Sequence, residues 1–247
     1  MPNVVIYPGV EELAKAAAER FIRLANDAVE LKGVFSVALA GGSTPLTVYQ
    51  LLASEPYSEQ VDWSRVHIFW GDERCVPPDH NDSNYGKARL ALLDAVPLPP
   101  GNIHRIPAEL EPERAAEAYE EVLLAYFSSQ QNERDLNNPC FDLVLLGMGD
   151  DGHTASLFPG ADAVNEKRRW VKALYVDKLA AWRVTLTPAI LNQARQIIFI
   201  VSGAVKSYTL QRVIYGSFQP ERYPAQSIRP ENGHLSWLVD EAAAELF

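Results

Sequence analysis

Apolar residues recur along this chain in two alternating rhythms. Val10, Leu13, Ala14, Ala17, Phe21, Leu24, Ala28 and Leu31 fall three or four positions apart, which is one face of a long helix closed by Gly33. Residues 34–40, 65–70, 141–146 and 196–201 are instead apolar at nearly every position and only of strand length. Shorter β-rich runs cover residues 4–7, 170–175, 182–186 and 235–239, and 102–105 reads as a further short strand. Helical spacing returns from 45 to about 52, from 84 to 93, from Pro112 to Phe127, briefly after Thr187-Pro188, and over 204–214. An Ala- and Glu-rich terminal helix is expected after the last strand, and 128–138 reads as a polar surface connection.

Strands that are apolar throughout must be covered on both sides, and their alternation with helices predicts a parallel arrangement. The expected fold is α/β: a mainly parallel twisted sheet flanked by helices on both faces, Rossmann-like and open. No internal repeat or composition break divides it, so residues 1–247 are expected to form one domain.

Composition narrows the function. The 247 residues hold 22 Lys and Arg against 32 Asp and Glu, a net charge of −10. Such a chain is a poor general binder of nucleic acid or anionic membrane, so an anionic ligand needs basic residues placed locally. Cys75 and Cys140 stand far apart and form no CxxC pair, which fits a reducing compartment. The first residues lack a basic stretch before their apolar ones, and no apolar run reaches the ~18–20 residues of a membrane span. A cytoplasmic location is the expectation.

Four apolar strands run directly into polar, glycine-containing segments: 41–44, 71–74, 147–154 and 202–206. In open α/β sheets ligands sit beyond the carboxyl ends of the strands, so all four are expected on one edge. Gly41, Gly42, Ser43 and Thr44 precede a helix. They suit an anion cradle, or simply a tight turn in which a hydroxyl caps the helix and Pro45 fills its first turn. Asp72, Glu73 and Arg74 read either as surface ions or as a site where Arg74 forks onto phosphate and Asp72 accepts from sugar hydroxyls.

Asp150-Asp151-Gly152-His153-Thr154 carries the strongest signal. An imidazole can take a proton from water, a carboxylate can orient the ring, and Gly152 supplies a sharp bend. Arg183 and Lys206 are further candidate cations, with surface charge as the plain alternative. The five His residues show no metal-ligand spacing, and no serine sits in a GxSxG elbow.

Together these blocks resemble the 6-phosphogluconolactonase family. The matching segments are 40–45, 70–74, 81–85 and 147–159, followed in order by 183–187, 203–206 and 224–226, over essentially the whole chain. The chain departs from the family pattern at Ala181-Trp182, where a proline-containing run is expected. The resemblance implies hydrolysis of 6-phospho-D-glucono-1,5-lactone without metal or organic cofactor. It implies that His153 activates water with Asp151 as companion. Arg74, Arg183 and Lys206 then hold the substrate, chiefly its phosphate, and Gly41–Thr44 lines the sugar site. The implied partner is a small phosphorylated sugar lactone, with no nucleic acid and no membrane, bound by a monomer or small homo-oligomer. Two alternatives remain open: a glucosamine-6-phosphate deaminase, and a sugar-phosphate-binding regulator without turnover. The segment 154–159 lacks the extra carboxylate that such deaminases carry after the His block.

Overall fold

The computed structural model describes residues 2–130 and 140–247. The chain opens with β1 (Asn3–Tyr7), α1 (Val10–Lys32), β2 (Phe35–Leu39) and α2 (Ser43–Leu52). Next come β3 (Val66–Trp70), β4 (Asp72–Arg74), α3 (Asn84–Ala88), α4 (Pro112–Gln130) and β5 (Leu143–Leu146). The remainder is β6 (Val171–Val176), β7 (Ala181–Leu186), α5 (Pro188–Leu191), β8 (Gln196–Val201), α6 (Ser207–Tyr215) and β9 (His234–Asp240).

Six of these strands form one parallel sheet in the order β1-β9-β8-β5-β2-β3. Parallel strands need crossovers, and right-handed ones place a connection on the face set by its direction of travel. Connections run toward β3 up to that strand and back toward β1 after it. That puts α1 and α2 on one face, where they pack together, and α4 and α6 on the other. The sheet is therefore covered on both sides, which is why β2 and β5 are buried at every residue. The core runs along it, from the Phe21–Phe35 edge contact under α1 to Phe199 stacked on Trp237.

The direction reverses between β2 and β5, and such a switch point opens a crevice beyond the strand ends. Leu39 pairs with Trp70, Ala38 with Val144 and Leu146 with Phe199, so four strands end nearly level. The four polar segments consequently leave the sheet at one edge.

Several local expectations are corrected. Residues 72–74 are not a loop but β4, paired antiparallel with β7 in a second sheet of order β4-β7-β6. Three residues carry no legible period, and the partner strand lies far along the chain. The hydroxyls near Pro45 do not cap α2; Gly42 holds that position, while the Thr44 hydroxyl bonds Ser202 Oγ at 2.8 Å. Residues 241–246 form turns rather than a terminal helix. So short a segment cannot sustain a helix alone, and here Asp240 Oδ1 and Ser207 Oγ take the N–H groups of Ala243 and Leu246. Residues 102–105 contribute one bridge, Ile68 to Ile103. The helix from Asn84 widens into an i→i+5 turn over Arg89–Leu93, closed by Asp94 N–H to Arg89 O. Of the polar connection expected at 128–138, residues 128–130 extend α4 and the others lie outside the described residues. Among the described residues no helix is long and apolar enough to cross a membrane.

The β3 side of the core contains a titratable pair. His67 Nδ1 and His104 Nε2 lie 3.1 Å apart, and His104 stacks on Phe69 with centroids 4.4 Å apart. Burial first, and the neighbouring His67 second, push His104 down to about 4; His67 is lowered too, by burial and by Lys32. Both rings thus favour the neutral form when folded. Their contribution to stability is complete above the unfolded value near 6.5 and is lost as pH falls from there toward about 4. Urea midpoints measured across that window should drop for the native chain and drop less for His104→Phe. Parallel curves would refute the assignment.

Candidate active site

Eight of the ten residues singled out from the sequence line one cleft at the switch point: Gly41, Gly42, Ser43, Thr44, Asp72, Arg74, His153 and Lys206. Its volume is about 240 Å³, the size of a small polar molecule rather than a polymer. Asp151 joins through His153, and Arg183 stands directly across from Arg74 in the β4–β7 pairing.

The loop after β5 is shaped to present an imidazole. Gly152 adopts φ +83°, and its N–H closes onto Gly149 O. Gly149 lies against the ring: a Cβ there would stand 2.2 Å from His153 Cε1 and Nδ1. Phe158 covers another side, with centroids 4.3 Å apart. Ala155, also in the cleft wall, takes a left-handed φ of +47°, which costs a non-glycine residue about 1–2 kcal/mol. Thr154 anchors this turn through Oγ1 to Gly147 O at 2.8 Å.

His153 Nδ1 lies 2.5 Å from Asp151 Oδ1, which also accepts the His153 backbone N–H. An ionised carboxylate only accepts, so Nδ1 carries the proton and Nε2 keeps a free lone pair. The hydrogen bond from His153 holds the Asp151 carboxyl well below the usual carboxylate range, against burial pushing upward; Lys178 adds a smaller pull. The ring is about one-quarter exposed, at 28%. This is the geometry of a general base facing a small cleft.

Arg74 and Lys206 line the cleft as well, with Arg183 paired opposite Arg74. Arg74 Nη1 donates to Asp82 O at 2.7 Å, yet Nε of both Arg74 and Arg183 is buried with no acceptor among the described residues. An unpaired buried donor costs about 1–3 kcal/mol, a cost that an anion accepting from this pair could offset. Burial, then the Arg74 charge, lowers the Arg183 guanidinium. Burial also lowers the Lys206 ammonium, with Asp150 and Asp240 pulling the other way. Among the described residues Lys206 forms no ion pair. The first amides of α2, Ser43 and Thr44, add an N-terminal anion site to the same cleft.

Both acids of β4 accept hydrogen bonds from neighbouring segments. Asp72 borders the cleft, but Oδ2 accepts from Ser156 Oγ at 2.7 Å and Oδ1 from Asn84 Nδ2 at 3.2 Å. Glu73 is 2% exposed and gathers the N–H groups of Arg74, Asn84 and Tyr85 with the Ser83 hydroxyl. Burial pushes its carboxyl up, and those backbone donors pull it back. Glu73 therefore docks the 81–85 block onto β4. Asn84, Ser202, Phe158 and Lys178 were not singled out from the sequence. Phe158, Asn84 and Ser202 sit inside segments the sequence marks, whereas nothing local marks Lys178. Among the described residues no three His, Cys, Asp or Glu side chains gather to hold a metal ion.

Comparison with known proteins gives one consistent result. Residues 8–237 match the family described as glucosamine-6-phosphate isomerases/6-phosphogluconolactonase. A 6-phosphogluconolactonase of Synechocystis is 42% identical over 219 residues, covering 88% of this chain and 87% of that protein. Among solved structures, the devB protein superposes with TM-score 0.88 at 34% identity over 99% of each chain. A 6-phosphogluconolactonase from Trypanosoma brucei gives 0.84 at 31%, covering 99% of this chain and 98% of that one.

Proposed function

The chain belongs to the glucosamine-6-phosphate isomerase/6-phosphogluconolactonase family, and from that premise we propose that it hydrolyses 6-phospho-D-glucono-1,5-lactone with His153 as general base. One observation carries the reading: His153, held by Asp151, and Arg74, whose Nε is buried without an acceptor among the described residues, line one switch-point cleft, with Arg183 paired opposite Arg74.

In the mechanism, Arg74 and Arg183 hold the phosphate, and Lys206 reinforces it from the β8–α6 connection. A water attacks the lactone carbonyl carbon while His153 Nε2 takes its proton. Asp151 keeps the ring oriented and stabilises the imidazolium. Charge on the carbonyl oxygen is met by donors already fixed in the cleft, the α2 amides among them. Collapse of the tetrahedral intermediate breaks the bond from carbonyl carbon to ring oxygen, and the imidazolium returns its proton to that oxygen. The acid product, 6-phosphogluconate, has gained one water. A lactone is an activated ester, so positioning plus one base suffices. The setting is the oxidative pentose phosphate pathway, in the cytoplasm, with residues 1–247 as one domain.

Acid release from freshly made lactone, corrected for spontaneous hydrolysis and repeated after EDTA, tests the reading. Rapid release that survives EDTA is expected. A rate equal to background, or release of ammonia from glucosamine 6-phosphate, would overturn it. Lys206→Ala should raise KM roughly 10–100-fold, the value of one charge-assisted contact, with a smaller change in kcat. Its preference for phosphorylated over unphosphorylated gluconolactone should fall in proportion; an unchanged preference would remove Lys206 from phosphate recognition.

A further inference from the structure

Asp151 is gripped at both oxygens. Oδ1 takes the ring and backbone N–H of His153, while Oδ2 lies 3.3 Å from Lys178 Nζ. Lys178 comes from a different part of the fold, the Asp177–Leu179 turn at the tip of the β6–β7 hairpin. A carboxylate held at one oxygen can pivot; held at both, it presents a fixed acceptor to the imidazole. We propose that Lys178 is a positioning residue for the His153–Asp151 pair, setting the pH at which that pair becomes competent to accept a proton. The inference rests on His153 being the base of the lactonase reaction.

The hairpin is suited to this part. Six residue pairs lock β6 to β7, and Ala180 closes the tip in a left-handed conformation at φ +47°. The same β7 that leads back from Lys178 carries Arg183, set opposite Arg74. One rigid element thus brings a cation to the catalytic carboxylate and another to the anion-binding pair. Electrostatics give the effect its sign. The charged groups around the imidazole are Asp151 and Asp150 on its own loop, Asp72 and Arg74 on β4, Lys206 after β8, and Lys178. Of these cations only Lys178 is ion-paired to Asp151 among the described residues. It competes with the ring for the carboxylate and repels a second positive charge. Removing it makes the ring easier to protonate, so more alkaline conditions are needed to free the base.

The test is the acid limb of kcat/KM against pH for a charge series at one position, with 6-phosphogluconolactone as substrate. Lys178→Arg should leave the limb in place. Lys178→Gln should move it up by about half a pH unit, and Lys178→Glu by about one, the size expected across a solvent-exposed contact. The Lys178 side chain is 65% exposed, so 0.5 M salt should compress the series. The titration midpoint of the His153 ring, followed by NMR without substrate, should move in the same order. A limb that stays fixed while only the plateau falls would reduce Lys178 to a structural contact and overturn the proposal. A variant that folds poorly lowers the plateau and not the limb, and the Arg and Gln variants decide the matter without Glu. Full turnover in His153→Ala would instead refute the base assignment, so the two failures are distinguishable.

Discussion

His153→Ala is expected to lower kcat by about 10³-fold, within the 10²–10⁴ range that a positioned base contributes. The loss should fall on kcat, because the groups assigned to hold phosphate, Arg74, Arg183 and Lys206, do not depend on the imidazole. 6-Phosphogluconate should still bind within a few-fold of its native affinity. Stability should change little: the ring is partly exposed, and Asp151 keeps Lys178 as a counter-ion once the imidazole is gone. Stopped-flow or pH-stat rates, paired with calorimetric binding and a melting curve, separate these outcomes. Turnover within tenfold of the native enzyme would sink the mechanism. Loss of activity with collapse of the melting transition would make His153 a folding residue instead.

Gly149→Ala should cost about 10–100-fold in kcat although it removes no functional group. Gly149 is not among the glycines held at positive φ, so its backbone accepts alanine. The obstacle is space. The added methyl would stand 2.2 Å from two atoms of the His153 ring and 3.0 Å from Asp151 Oδ1. Contacts so short cannot persist, and the mobile partner is the ring, displaced by about 1 Å or turned off its carboxylate. Misplacement on that scale costs about 10² in rate. The residues proposed to hold phosphate are not in contact with this methyl, so KM should hold while kcat falls. A crystal structure of the variant should show the rotated imidazole. Native kcat, or a KM effect alone, would mean that the ring has more freedom than the packing indicates.

Much of this architecture was legible from residue order because its causes are local. The spacing of Leu13, Ala14, Ala17 and Phe21 marks the buried face of α1, and the left-handed Gly33 ends it as expected. The pattern overreaches only at the ends, where Val10 and Leu31 are 40% and 80% exposed. β8 occupies 196–201 as read from an apolar run that only a doubly covered strand tolerates. The site was legible for a related reason: glycines, hydroxyls and charges directly after buried strands must emerge at one edge of a parallel sheet.

What stayed hidden depends on distant partners. β4 is a strand only because β7 lies beside it, and its three residues show no alternation of their own. Thr44 looked like a helix cap, but Ser202, brought close by the adjacent edge of the sheet, offers its hydroxyl a different bond. Asp72 borders the cleft, and only the tertiary structure shows that Ser156 and Asn84 already engage each of its oxygens once. Lys178 had no local mark, since its meaning comes from where a hairpin tip lands. Residue order by itself determined most of the elements, the sheet edge where the polar segments emerge and the imidazole among them, because periodicity and loop composition act over a few residues. Only the tertiary structure decided which polar groups spend their hydrogen bonds on one another and which remain free for a ligand, because that depends on distances between segments far apart in the chain.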